Sequence, residues 1–297
     1  MTGTTVAVVV HYWSESVIEA GVAALLNQSL PCQVLVVANS AMAPDLRKHL
    51  EGTGARVLQL EQNVGFAEAC NAGVQAAGDS DFVWFVNPDV RCDPNCHAVL
   101  RSRTGPATAT APAIRTGSGD LEHSVKSRAY VSPVALLARE LIIGRLTHVG
   151  SPTPPKGETS VAMLSGACLF LRRSDFQRVG GFDAGYFLYG EDLDLSLRLR
   201  AAGVDLRYVP DARVVHVTGT GAGGASPSSD VWEIKGRESR RAHSRLLEVH
   251  VSPAAARRYE RGLRLVLPTR IALGRLRGSR GVIARDRAAL AWVNRSG

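Results

Sequence analysis

The sequence predicts an α/β protein: a doubly wound, mostly parallel sheet flanked by helices, followed by a basic helical C-terminal extension. Three observations carry this. The first ninety residues alternate β-branched apolar runs with helix-period segments joined by short links, the pattern of a parallel sheet. A chain of 297 residues with 45% hydrophobic content can bury one large core or two unequal lobes. From Lys235 to the end there are 16 Lys/Arg against 4 Asp/Glu, while everything before sums to about −4, so the net charge of +8 resides in the last segment.

The elements follow in order. "VAVVVHY" is a continuous β-branched run, as expected of a strand buried on both faces. Residues 16–28 place Val17, Val22, Leu25 and Leu26 near helical spacing. "QVLVVAN" reads as a strand. "PDLRKHLEG" reads as a helix with Pro44 near its start and Gly52 after its end, and "RVLQL" as the next strand. Residues 65–77 form a small-residue helix and "DFVWFV" another buried strand. Across 101–160, "TGPATATAP" and "GSPTPPKGE" mark loops, and a surface excursion is expected there. "VAMLSGACLFLRR" is strand-like from Val161 to Leu171, followed by a helix "SDFQRVG" and, later, a strand "LRYVPDARVVHV". Between them lies "GEDLDLSLRLR". Its leucines recur at every second position, a strand signal, but Leu195 and Leu199 also lie one helical turn apart, the acids gather at the front and Gly203 offers a stop. A helix is expected. The Gly/Ser stretch 218–229 separates this body from the basic helices, which divides the chain into a domain at 1–229 and an extension at 230–297.

Composition limits the function. Five cysteines are odd in number and scattered, which predicts reduced thiols in a cytoplasmic protein rather than a disulfide framework. The apolar run after "MTGTT" stops at Val10, too short for a signal peptide or a spanning helix. The basic tail can lie on an anionic membrane, bind a polyanion or form a solvated face. It lacks the interleaved aromatics of a single-strand binder, and no nucleic-acid partner is expected.

Several constellations can carry chemistry. Asn87-Pro88-Asp89 follows a buried strand directly, so the Asp89 carboxylate stands at a strand's carboxyl end, where it can hold a hard divalent cation that bridges diphosphate oxygens. The same tripeptide is also ordinary turn chemistry. "NVGFAEACNAG" sets Gly65 at a strand-to-helix junction, where backbone amides can hold an anion, or where Asn63 simply caps a helix. "GGFDAGYFLYGED" joins aromatics and glycines, a platform for a sugar, to Glu191 and Asp192, which can take a proton or satisfy a helix dipole. His216 ends its strand and can ligate metal or be structural. "GTGAGG", residues 219–224, matches a dinucleotide fingerprint, but no βαβ unit closes around it. "CDPNCH" lacks a second ligand pair at zinc spacing and reads as a turn and helix start.

The succession "VLVVANS", "NVGFAEACNAG", "FVNPDV", "LSGACLFLRR", "GGFDAGYFLYGEDLDLSLRLRAAG" and a terminal strand ending in His resembles the family 2 inverting glycosyltransferases of the GT-A fold, especially their bacterial rhamnosyltransferase-like branch. The resemblance covers roughly residues 5–217 and implies a Rossmann-like GT-A domain. It makes Asp89 the counterpart of the metal-binding D-x-D motif, for Mg²⁺ or Mn²⁺, with His216 beside the metal. It makes Asp192 the general base, supported by Glu191. It places His11, Asn39, Asn63, Gly65, Asn87 and Asp89 at the donor nucleotide, and Phe187, Tyr189 and Gly190 at the acceptor. The family's usual Asp before Asn39 is replaced by Ala38, which leaves the base of the nucleotide open. The implied partners are a nucleotide-diphosphate sugar such as dTDP-rhamnose and a lipid-linked saccharide or a small or carrier-bound acceptor. A peripheral contact with the inner face of the membrane and a homodimer are both compatible with the tail. Two competitors remain at this level: a catalytically inactive binding or partner subunit of the same fold, and an NAD-dependent enzyme using Gly219–Gly224.

Overall fold

A computed structural model describes residues 3–121, 125–126, 131–141, 155–217 and 229–295. By their contacts they divide into a sheet unit, residues 1–126, 153–187 and 192–225, and a helical unit, residues 127–152, 188–191 and 226–297.

The sheet unit begins with β1 (Thr5–His11), α1 (Glu15–Leu26), β2 (Gln33–Ala38), α2 (Pro44–Gly52), β3 (Arg56–Gln59), α3 (Phe66–Ala76) and β4 (Phe82–Val86). Every residue of β1 is buried, because alternate side chains serve two cores. Val6, Val8 and Val10 face one with α3, and Ala7 and Val9 face the other with α1 and α2. The chain continues through β5 (Val90–Cys92), α4 (Cys96–Arg103), β6 (Thr108–Thr116) and β7 (Val125–Lys126). After α5 (Pro133–Leu141) come β8 (Thr159–Ser160), β9 (Met163–Leu164), β10 (Cys168–Arg172), α6 (Arg173–Arg178), α7 (Glu191–Ala201) and β11 (Asp205–His216). "GEDLDLSLRLR" is thus helical, as its acids and Gly203 predict.

The main sheet has the order β3-β2-β1-β4-β10-β6-β11-β5, with β8 on β11, and β7 pairs β9 separately. The first four strands are parallel to one another. Beyond β4, β10 is antiparallel to both β4 and β6, β11 is parallel to β6, and β5 is antiparallel to β11. It follows that β11 runs in the direction of β4, so both end at one edge of the sheet, and β5 starts there.

Two sequence expectations change. "TGPATATAP" is not only a loop, since it contains the start of β6, a central strand whose Ala109, Ala111 and Ala113 are buried. Small alternating residues gave a weak strand signal, and Pro112 pairs with Val209 next to an irregularity in β11 where a missing N–H is tolerated. The run Val161–Leu171 is not one strand, because Ser165–Ala167 interrupts it between β9 and β10.

The helical unit contains α5, α8 (Ser229–His250), α9 (Pro253–Leu276) and α10 (Arg280–Arg295). The extension anticipated at 230–297 therefore also packs with α5, from the middle of the expected loop excursion. Ser252 caps α9 by accepting a hydrogen bond from Ala255 N–H at 3.1 Å, with Pro253 in its first turn. Helices α8 and α10 approach closely at Gly236, where any Cβ would collide with the Arg285 backbone. Among the described residues no helix is long and apolar enough to cross a membrane. The five cysteines are free thiols.

Candidate functional site

In an open α/β sheet a ligand crevice forms beyond the carboxyl ends of the strands, where the strand order reverses. Here the order reverses between β1 and β4. His11, Asn39, Asn87 and His216 all stand at or just past strand ends on this edge.

The loop after β3 is fixed by one asparagine clip. Asn39 donates from Nδ2 to Asn63 Oδ1 at 2.9 Å and to the Gly65 carbonyl at 3.2 Å, and its Oδ1 accepts from Val64 N–H at 2.9 Å. Asn63 Oδ1 also accepts from Gly65 N–H at 3.0 Å. The two side chains thus shape the loop at the strand edge where the resemblance puts the donor nucleotide. Gly65 takes φ +86°, and a Cβ there would stand 2.6 Å from the Phe187 carbonyl oxygen. Only glycine fits, and that closeness lets Phe66 N–H donate to the Phe187 carbonyl at 2.9 Å.

Asn71, one helical stretch on, holds the aromatic loop from its other end. It donates to the Phe182 carbonyl at 2.8 Å and accepts from Phe182 N–H at 3.0 Å. Asn71 belongs to the same "NVGFAEACNAG" segment, but nothing in the sequence alone points to this contact. Tyr12 and Trp13 were also missed; they are 45% and 51% exposed just past β1, with Trp13 at φ +48° and its N–H on Ser40 Oγ at 3.1 Å. Exposed aromatics at a strand's carboxyl end are the available signal. His11 is buried, with Nδ1 2.7 Å from Ser14 Oγ, and burial lowers its pKa against the opposing pull of Glu15. It supports the edge from within.

The topology explains Asp89. β5 pairs Val90 with His216, so the residue before β5 is brought beside the end of β11. Asp89 Oδ1 and His216 Nε2 are 3.1 Å apart, and both side chains are largely buried. Asn87 N–H donates to the Ala167 carbonyl at 2.9 Å, and Asp89's carbonyl accepts from Val217 N–H at 2.9 Å, which fixes the turn. At that distance the pair is a hydrogen-bonded carboxylate and imidazole, both of them groups of a kind that can ligate a divalent cation. Among the described residues no group of three or more His, Cys, Asp or Glu could hold a metal, so any such ion would need oxygens from its substrate and water.

Asp192 is buried, and both carboxylate oxygens take backbone donors: Gly166 N–H on Oδ2 at 3.0 Å and Leu193 N–H on Oδ1 at 2.8 Å. The break between β9 and β10 supplies the first of these. Asp194 differs. It is ion-paired with Arg198, whose guanidinium also bonds the carbonyls of Val179 and Gly181 at 2.6 and 2.7 Å. Glu191 is buried at the first position of α7. Tyr189 and Gly190 both have positive φ, +71° and +84°, and with Glu191 they belong by contacts to the helical unit. Gly219–Gly224 lies outside the described residues. "CDPNCH" leads into α4, where His97 is buried against Leu30 and Thr5, in line with a turn and helix start.

A profile of the family described as "Glycosyltransferase like family 2" matches residues 3–241. An N-acetylglucosaminyl-diphospho-decaprenol L-rhamnosyltransferase of Mycobacterium tuberculosis is 36% identical over 188 residues, covering 54% of this chain and 58% of that protein. Rhamnosyltransferase WbbL of Escherichia coli is 33% identical over 146 residues, covering 46% of this chain and 53% of that protein. The chain therefore spans little more than half the length of these relatives. Among solved structures, GalNAc-T7 with UDP, GalNAc and Mn²⁺ superposes with a TM-score of 0.61 at 16% identity, over 83% of this chain and 48% of that one. S. aureus TarS 1–349 gives 0.53 at 12% identity, over 99% and 92%. At such identities the likeness shows the fold, which is GT-A.

Proposed function

The chain belongs to the glycosyltransferase family 2-like proteins, and from that premise we propose that it moves a sugar from a nucleotide-diphosphate donor to an acceptor hydroxyl with inversion at the anomeric carbon. The observation that carries the reading is the division of labour between two buried carboxylates. Asp89 is paired with an imidazole at the sheet edge, and Asp192 accepts hydrogen bonds from the backbone N–H groups of Gly166 and Leu193.

In this reading Asp192 accepts the proton of the acceptor hydroxyl as its oxygen attacks the anomeric carbon; the bond from that carbon to the donor's diphosphate oxygen breaks, and the nucleoside diphosphate leaves. Asp89 and His216 would hold Mg²⁺ or Mn²⁺, which when bound neutralises charge on the diphosphate. Retention by double displacement would need a second carboxylate as nucleophile. Asp194 is spent on Arg198, which supports the inverting course. The asparagine clip and the Phe187 loop shape the donor pocket, and Tyr12 and Trp13 offer rings for a base, with Ala38 in the place of the usual acid. Phe187 stands on the acceptor side.

The relatives named as rhamnosyltransferases make dTDP-rhamnose the first donor to try and a diphospho-polyprenol saccharide the first acceptor. The deciding experiment scores a panel of nucleotide sugars by thermal stabilisation of the full chain with and without Mn²⁺, followed by donor hydrolysis. We expect one sugar nucleotide to stabilise it in a metal-dependent way and to be slowly hydrolysed. Stabilisation without hydrolysis or transfer to any acceptor would point to an inactive binding subunit instead.

A further inference from the structure

The helical unit holds an open-mouthed cavity of about 860 Å³ lined by residues of α5, α8, α9 and α10. Five arginines line it, Arg139, Arg240, Arg270, Arg277 and Arg285, against one lining acid, Glu140. A second carboxylate, the fully buried Asp286, stands behind them and bonds Arg240 at 3.0 Å and Arg270 at 2.8 Å. Glu140 accepts from Arg240 at 2.8 Å. Even without Arg139, the four guanidiniums of Arg240, Arg270, Arg277 and Arg285 face two carboxylates, an excess of two positive charges.

Charge of one sign is costly in such a place unless something answers it. Arg240 is 4% exposed, yet among the described residues neither its Nε nor that of Arg285 has a hydrogen-bond acceptor, Asp286 Oδ1 standing 3.7 Å from the latter. Arg285 feels the imbalance: burial first, and then repulsion from Arg240, lowers its pKa despite Asp286 nearby. Arg277 stands exposed at the end of α9 with no ion pair among the described residues. The guanidinium forks that line the cavity suit the oxygens of a phosphate, which arginine can bind in a bidentate way. The remaining wall is apolar, with Leu136, Leu273 and Val282. The volume lies in the range of sites for organic ligands and far exceeds what one inorganic anion fills.

We propose that this cavity binds a phosphate or diphosphate ester that carries an apolar chain, the head of an isoprenoid diphosphate being the fitting class. That this ligand is the acceptor rests on the lipid-linked reading above; the binding itself does not.

The test titrates the full chain, in EDTA and without nucleotide sugar, with farnesyl diphosphate, inorganic pyrophosphate and phosphatidylglycerol vesicles, by calorimetry. The same titrations are run on Asp89→Ala, on Arg277→Gln and on Arg285→Gln. Farnesyl diphosphate is expected to bind at least ten-fold more tightly than pyrophosphate. Each arginine variant should weaken it several-fold, and Asp89→Ala should leave it unchanged. Arg285→Gln should melt no lower than the parent in the absence of ligand, since it removes an under-compensated cation. Arg277→Gln, at an exposed position, covers the case in which Arg285→Gln folds poorly. Equal affinity for pyrophosphate and farnesyl diphosphate would overturn the apolar-chain assignment. Absence of binding, binding indifferent to both arginine variants, or binding to vesicles alone would overturn the site. If the donor reading fails while farnesyl diphosphate still binds through the arginines, only the acceptor assignment is lost.

Discussion

The two units handle charge in opposite ways. At the edge of the sheet unit, acids are few and separately supported: Asp192 by two backbone N–H groups, Asp89 by one imidazole, Asp194 by one arginine. In the helical unit, acids and arginines are buried together, and Asp286 alone engages Arg240, Arg270 and Arg285. Burial opposes the charge on Glu140, but Arg240 and Arg270 hold its pKa below the ordinary range. In the first arrangement the three carboxylates have different partners, so one can be changed without the others. The second trades charges in bulk and makes each depend on the rest.

The sharpest way to break this contrast is to remove one acid from each side. Asp192→Asn should lower the transfer rate by about 10²–10⁴-fold, as expected for loss of a general base. Donor affinity should hold, because the amide keeps the shape; an active Asn variant, read by single-turnover transfer, would remove the base assignment. Asp286→Asn should instead leave donor hydrolysis by the folded fraction intact and cost about 3–5 kcal/mol of stability, since it strands buried guanidiniums. Denaturant unfolding measures this, and a loss below about 1 kcal/mol would mean that the network is far less interdependent than its geometry implies.

The same contrast explains what could be read from the chain. In the sheet unit, period and punctuation agree: β1 and β4 are apolar throughout, Gly65 marks a junction, and Asp89 follows its strand at once. Fold and site candidates were legible there because side-chain position follows from strand direction. The exception was β6, where Ala and Thr at alternate positions carry too little hydrophobicity to stand out against Gly105, Pro106 and Pro112. The hydrogen bonds of Asn39 and Asn63 within the loop were also out of reach, since an amide that caps a loop and one that reads a base look alike in a sequence. In the helical unit, Arg240, Arg270 and Asp286 look like members of a solvated basic face. Nothing in their spacing says that they turn inward, because burial there depends on α5, a hundred residues earlier in the chain.

Gly65→Ala sharpens the comparison from the backbone side. The new Cβ meets the Phe187 carbonyl oxygen at 2.6 Å in a left-handed conformation, so a cost of about 1–3 kcal/mol is expected. The loss should come with weaker donor binding, since the asparagine clip and the Phe187 loop must shift together. Stability loss with unchanged donor affinity would separate the clip from the donor pocket.

Acidity should act least strongly, and on the two units at different points. In the sheet unit burial lowers the pKa of both His11 and His97, so the folded state resists protonation that the unfolded chain accepts near about pH 6.5. Their contribution is complete above that value and declines as pH falls below it. Glu140 in the helical unit is shifted downward from the carboxylate value of about 4.3, so its contribution persists through that window and is lost only at more acid pH. Single-tryptophan variants keeping Trp84 in β4 or Trp232 in α8 report each unit by fluorescence. Between pH 7.5 and 5.5 the Trp84 transition should drop in temperature while the Trp232 transition stays, and His97→Gln should flatten the first dependence. If both transitions fall together over that range, the units do not carry separate electrostatic supports.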